Sequence, residues 1–348
     1  MVNFWTVLLS LFIFGVLIAV HEAGHYISAR LCKVGVTEFA IGMGPVIFKK
    51  QGRNTLFSLR ALPIGGYCKI VGETDDDEER DDSIINKSKL ARAFIFSAGS
   101  IMNIFTAYIA FAIALLIVGM PTTSIGGFTD TSPALSSGMQ AGDKVLMIDN
   151  TSIDKWEDIS AALKNYSGQG TVNVQIFRQS TGEKITLNIK PTYVKDESGE
   201  RYIIGVKAAY SKNIFTALSK AASLIWLYIT LIFSTLISLI RGVIGLDAFT
   251  GPIGVVKIVS ESATYGNTIA QRIASVLQIT GAISMSLGVI NMLPIPALDG
   301  SRVFLLLVEL IKGSPIKRER ENVFHFIGFA LMILLAVVIA FNDINRFF

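Results

Sequence analysis

The chain has 348 residues, of which 51% are hydrophobic and only 17% charged. That balance excludes an ordinary water-soluble globular protein and fits an integral membrane protein carrying some water-soluble mass. The net charge is a small +4, and no basic stretch interleaved with aromatics suggests a nucleic-acid partner.

Residues 1–35 are expected to form the first transmembrane helix. No charge occurs from Phe4 to Val20, no positive region precedes this run, and no small-x-small cleavage site follows it, so a cleaved signal peptide is not expected. The run ends in His21-Glu22-Ala23-Gly24-His25. On a helix the two histidines lie four apart and share a face, which supplies half of a tetrahedral zinc site. Glu22 between them is placed to take a proton from zinc-bound water. Three ionisable side chains at this depth are costly and point to function. The chain has only three histidines, so two of them fall in this one motif.

Residues 36–72 are punctuated by Gly42-Met43-Gly44-Pro45, Gln51-Gly52-Arg53-Asn54 and Gly65-Gly66. Short apolar runs between these breaks predict small strands dipping toward the bilayer, a membrane-associated β region. Residues 73–92 form an acidic cytoplasmic loop around the Asp75–Asp82 run, read as solvated; calcium binding would need spaced ligands and a turn glycine. Cys32 and Cys68 make neither a disulfide framework nor a CxxC knuckle. A second span is expected over 93–120, bounded by Arg92 and Pro121.

Residues 121–208 read as a small α+β module outside the membrane, with a helix at about 156–165 and strand alternation at 171–177 and 184–190. Residues 209–272 hold an ambiguous segment, 214–241. Its polar residues Thr216, Lys220, Ser223, Thr230, Ser234, Ser238 and Arg241 form one helical stripe. An interfacial amphipathic helix is the favoured reading, and a fifth span is the alternative. Residues 273–300 carry the third span, and residues 301–348 a cytoplasmic segment and the fourth span. Basic residues set the orientation: eleven lie between Arg30 and Arg92, five between Arg302 and Arg320, and none before the first span. Basic loops stay in the cytoplasm, so four spans place both termini outside.

Zinc needs a third protein ligand. Asp299 and His325 are the candidates. Asp299 closes Asn291-Met292-Leu293-Pro294-Ile295-Pro296-Ala297-Leu298-Asp299-Gly300, at the same depth and side as His25. The two prolines break the helix and can turn a carboxylate inward, which favours Asp299; a plain helix N-cap is the alternative.

HEAGH at 21–25, LPIGGY at 62–67, AGSIMN at 98–103, an SPA…AGDKVLMID stretch, GPIG at 251–254 and NMLPIPALDG at 291–300 occur in that order. Together they closely resemble the site-2 protease family of zinc intramembrane metalloproteases, in its bacterial RseP-like branch with a single PDZ domain. The resemblance covers nearly the whole chain. It implies a mainly α-helical integral membrane protein with four transmembrane helices, a membrane-associated β region and an inserted extracytoplasmic α+β PDZ domain at 121–208. It implies Zn2+ held by His21, His25 and Asp299, with Glu22 as general base. It further implies that the β region, with Gly65 and Gly66, aligns substrate as an added strand. Asn291 is expected to hold substrate backbone, and Asn103 to do so or to brace the helices. Gly126, Gly127 and Phe128 are expected to offer amides to a peptide carboxylate, with a steric filter as the equal alternative for that module. The expected partners are the lipid bilayer and single-span substrates in a bacterial plasma membrane, such as anti-sigma factors or remnant signal peptides. Two departures stand out: Ser100 occupies a position that is often proline in the second-span motif, and the aspartate motif reads LDGS where LDGG is common. A zinc transporter is the competing class, but it would want ionisable residues recurring across several spans rather than gathered at one place.

Overall fold

A computed structural model describes residues 3–73, 80–164, 166–196, 199–245, 250–314, 316 and 318–347. The chain divides into two compact units, Met1–Ile117 with Leu218–Phe348, and Val118–Ala217.

The first unit opens with α1, Phe4–Leu31. Asn3 caps it by accepting the Thr6 amide at 2.9 Å, and the helix runs without interruption through the HEAGH motif. Two long antiparallel strands follow, β1 (Val36–Gln51) and β2 (Leu56–Ile70). Their register shifts repeatedly, and Gly42, Gly44 and Gly65 take positive φ where the ribbon bends. The root of this hairpin is buried: Val36, Cys68 and Ile70 pack with Ala29 and Val34. Farther out, Met43, Val46, Ile47, Phe48, Leu59 and Leu62 are exposed, the apolar surface a strand pair needs to enter lipid. Most of the acidic run lies outside the described residues; Arg80 pairs with Asp82 at 2.9 Å just after it.

The remaining helices of this unit are α2 (Lys89–Val118), α5 (Ile214–Ile240), α6 (Pro252–Thr264), α7 (Ile269–Asn291), α8 (Asp299–Lys312) and α9 (Arg318–Phe347). Small residues set the close crossings. A Cβ on Gly24 of α1 would fall 2.4 Å from the Ala98 carbonyl oxygen of α2, and one on Gly288 of α7 would fall 2.8 Å from that of Ser100. At the N-terminus of α6, the buried carboxylate of Asp343 on α9 accepts the amides of Gly251 (3.1 Å) and Gly254 (2.8 Å). This gives the GPIG motif a packing role.

Among the described residues, five helical stretches are long and apolar enough to cross a membrane: Phe4–Leu31, Lys89–Val118, Ile214–Ile240, Ile269–Asn291 and Val323–Arg346. The expected polar stripe on α5 is present, and three of its seven residues are satisfied within the helix. Ser223, Thr230 and Ser234 bond carbonyls of their own helix, which lowers the cost of placing them in hydrocarbon. Tyr228 of α5 stacks on Phe111 of α2 at 5.3 Å. Length and composition therefore allow α5 to cross as well as to lie flat.

The second unit contains β3 (Met120–Phe128), α3 (Pro133–Ser136), β4 (Lys144–Ile148), β5 (Thr151–Ser152), α4 (Trp156–Leu163), β6 (Val172–Arg178), β7 (Glu183–Ile189), β8 (Thr192–Asp196), β9 (Gly199–Ile203) and β10 (Val206–Ser211). An antiparallel sheet runs β10-β3-β4-β6-β7, with β5 on β4, and β8 pairs with β9. Alternation decides the faces: Val172, Val174 and Ile176 of β6 point inward and join Ile125, Val145, Ile159, Leu163 and Ile189 in one core. The helix and two strands expected from the sequence are all present. Asp143 is buried there and held by Arg178 through paired bonds of 3.0 and 2.9 Å.

Candidate metal centre

One turn of α1 carries His21 and His25 on the same face, with their Nε2 atoms 3.3 Å apart. The third group arrives from the far end of the chain. After α7 the backbone breaks at Met292–Leu298, and Ala297 takes a positive φ of 72°. The chain then folds back so tightly that a Cβ on Gly300 would sit 2.2 Å from the Met292 carbonyl. Only glycine allows that return, which is why the aspartate is followed by one. The break sets Asp299 at the first turn of α8, with Oδ2 3.0 Å from His21 Nε2 and 3.3 Å from His25 Nε2. Among the described residues, these three are grouped so that they could hold a metal ion.

The donor set fits zinc. Tetrahedral coordination with bonds of about 2.0–2.1 Å puts neighbouring ligand atoms roughly 3.3 Å apart, and the three separations are 3.0, 3.3 and 3.3 Å. Nδ1 of His25 lies 2.8 Å from the Ile95 carbonyl, to which it donates its proton. In the neutral form that a metal ligand requires, its Nε2 is a lone pair facing a carboxylate oxygen. Three acceptors pointed at one spot repel one another unless a cation lies between them.

The roof over this spot is bare backbone. A Cβ on Gly99 of α2 would fall 2.4 Å from His25 Nε2 and 2.7 Å from His21 Nε2. Neither ring could keep its place beneath any larger residue. Glu22 lines the same cavity, of about 450 Å³, together with Tyr67, Cys68, Glu73 and Arg302. On β2, Gly66 approaches α1 so closely that a Cβ there would be 3.4 Å from Glu22 Cγ. The strand expected to align substrate therefore passes beside the expected base. Outside the spans, burial pushes the Cys68 thiol up, helped by the negative Glu22 and Glu73. Burial alone would also push the Glu38 carboxyl up. Bonds from Tyr67, Arg60 and Ser58 outweigh it and hold Glu38 below the usual range.

The other expected site residues are placed as follows. Asn103 of α2 lies against His21, with its carboxamide nitrogen 3.2 Å from Nδ1. Asn291 ends α7, half-buried, and is not among the residues lining the cavity. Gly65 sits beside Met43 at the bend of β2. Gly126, Gly127 and Phe128 lie in β3, a strand with β10 along one side and β4 paired at Ser124 on the other; the neighbouring Ile125 amide already bonds the Asp143 carbonyl. The open edge next to them is β10. His325, the rejected third ligand, instead accepts the Ala297 amide through Nδ1 at 3.1 Å and steadies the break. Sequence reasoning assigned no part to Ile95, Gly99 or the Arg302–Glu73 ion pair at the cavity wall. The first two carried a signal: with Asn103 they recur every four residues, one stripe of α2.

Comparison with known proteins shows the family. Residues 9–335 match the family model described as peptidase family M50. The chain is 34% identical over 345 residues to a protein of Clostridium acetobutylicum named as a zinc metalloprotease, covering 98% of each. A Fusobacterium nucleatum protein named in the same way is 31% identical over 352 residues, covering 99% of each. The regulator of sigma-W protease RasP of Bacillus subtilis is 28% identical over 428 aligned positions, again covering 99% of each.

Proposed function

The chain belongs to peptidase family M50, the site-2 protease family, and is a zinc metalloprotease and a multi-pass bacterial membrane protein; from that premise we propose that it is an intramembrane endopeptidase cleaving single-span membrane proteins within or near the bilayer. The observation that carries this reading is the triangle of His21 Nε2, His25 Nε2 and Asp299 Oδ2 at tetrahedral spacing, next to the uncharged run from Phe4 to Val20 of α1.

Zinc, when bound by these three residues, polarises the scissile carbonyl and makes a water molecule acidic. Glu22 takes the proton of the attacking water as the new C–O bond forms, then delivers it to the nitrogen as the C–N bond breaks. A substrate helix must first unwind, because its carbonyls are occupied. The exposed apolar reach of β1 and β2 supports strand addition as the way the unwound segment is held. Purified Glu22→Gln is expected to bind zinc at wild-type stoichiometry and to leave a single-span substrate intact in detergent. Equal cleavage by that variant would refute the assignment.

Four crossings, with both termini outside, follow from the Lys and Arg distribution rather than from helix length. The Bacillus subtilis relative is named for sigma-W; anti-sigma factors and remnant signal peptides are the substrates proposed for this chain. The Val118–Ala217 unit is read as a PDZ domain that either captures a peptide end or filters substrates by size. Capture by strand addition would use the β10 edge. Deleting 122–208 separates the two: cleavage of untrimmed substrate supports the filter, and no gain removes its support.

A further inference from the structure

We infer that Asn103 is a positioning residue: its carboxamide oxygen accepts the Nδ1 proton of His21 and so holds that ring in the tautomer whose Nε2 is free to bind metal. The inference rests on the zinc reading above and adds a residue to it. Asn103 is 1% exposed, on the face of α2 turned to α1. Its carboxamide lies 3.2 Å from His21 Nδ1. With Nε2 committed to a cation, Nδ1 of a neutral imidazole must carry the hydrogen, so the group facing it has to accept. The amide nitrogen cannot accept, and the oxygen can. The two ends of a carboxamide have the same shape, and their assignment follows the hydrogen-bond network. The other end, Oδ1, is buried with no partner among the described residues, so turning the group over breaks no hydrogen bond of that oxygen.

His25 provides the parallel. Its Nδ1 is held at 2.8 Å by the Ile95 carbonyl, two turns earlier on the same helix. Each ring thus has its far nitrogen fixed by α2, at Ile95 and at Asn103, with Gly99 between them leaving room for both. The position of Asn103 is itself pinned. Its backbone carbonyl accepts the Ser284 hydroxyl of α7 at 2.7 Å, and bare Gly288 lets α7 approach its Cβ. An acceptor behind a metal-bound imidazole fixes ring orientation and raises ligand basicity, and its loss typically weakens metal affinity by about 10–100-fold.

The test compares zinc affinity of the full chain in detergent, by competition with a chromophoric chelator, for wild type, Asn103→Asp and Asn103→Leu. Asp keeps an acceptor; Leu keeps the volume without one. The expected order is Asp near or above wild type and Leu weaker by about 10–100-fold. A residue that merely fills space gives the reverse order, because Leu is tolerated and a buried Asp is not; that result overturns the inference. If Leu does not fold, Asp decides alone: affinity within about tenfold of wild type supports the role, and a larger loss overturns it. Wild type without zinc removes the metal reading itself, whereas zinc-binding wild type with an equally tight Leu variant removes only this inference.

Discussion

Gly99→Ala is the sharpest single-atom test of the metal centre. The added Cβ would stand 2.4 Å from His25 Nε2, where ordinary contact begins at 3.4 Å, so about 1 Å must be found (3.4 − 2.4). Neither ring is free to give it. His25 is tied to the Ile95 carbonyl, and both histidines stand on one helical turn against Asp299. Zinc–ligand distances tolerate roughly ±0.2 Å, and the required shift is about five times that. Loss of at least one ligand follows, and a misplacement of about 1 Å costs on the order of 100-fold in rate, or about 2.8 kcal/mol at 1.4 kcal/mol per decade. Alanine favours a helix over glycine by about 0.8–1.0 kcal/mol, so helix propensity does not account for a loss. Gly15→Ala on α1, where a Cβ meets nothing within 4 Å, is the matched control. Chelator competition should show zinc affinity lowered for Gly99→Ala and cleavage slowed on the order of 100-fold, with both unchanged for Gly15→Ala. Wild-type affinity and cleavage in Gly99→Ala would refute the close-packed roof.

Removing zinc should loosen the join between α1 and α8. At a free zinc concentration 1,000 times Kd, bound metal stabilises by about 4.1 kcal/mol, so excess chelator should lower the unfolding temperature and added zinc restore it; an unchanged temperature counts against the site. Cys68 should resist alkylation. A free thiol of pKa about 8.5 is roughly a quarter thiolate at pH 8, whereas the raised pKa of Cys68 keeps it neutral there. Mass spectrometry should find it unmodified in the native chain and labelled after unfolding, and rapid native labelling at pH 8 would count against its burial. Arg178→Ala should destabilise the Val118–Ala217 unit by about 3 kcal/mol, because it strands the buried Asp143 carboxylate. Hydrogen exchange should rise across β4 and β6, and protection equal to wild type would contradict that ledger.

The local chemistry was legible where it depends on short spacing. HExxH on an apolar run gives both imidazoles and the base, because four residues make a helical turn. Asp299 was readable from the paired prolines, which announce a break, although its contact with His21 spans most of the chain. The helix expected at about 156–165 and the strands read from alternation at 171–177 and 184–190 lie within two residues of α4, β6 and β7. Other features were hidden because they are relations between elements. That Gly99 is a roof, and that Asn103 faces an imidazole, depends on which side of α2 meets α1, and no single helix states that. The choice of Ile125–Phe128 as a peptide-binding segment followed a glycine pair. Sheet order, which the sequence does not display, makes β10 the free edge beside it. For α5, hydropathy and the polar stripe pointed in opposite directions, and the back-bonded hydroxyls explain how both occur in one helix.

Ile95, Gly99 and Asn103 stand every fourth residue along α2, facing His21 and His25, themselves four apart on α1. The two rows mesh like gear teeth. Inserting one residue between 99 and 103 would turn the downstream part of α2 by about 100° and carry Asn103 away from its imidazole, with every original side chain still present. Length, rather than identity, is therefore the property this stretch can least afford to change.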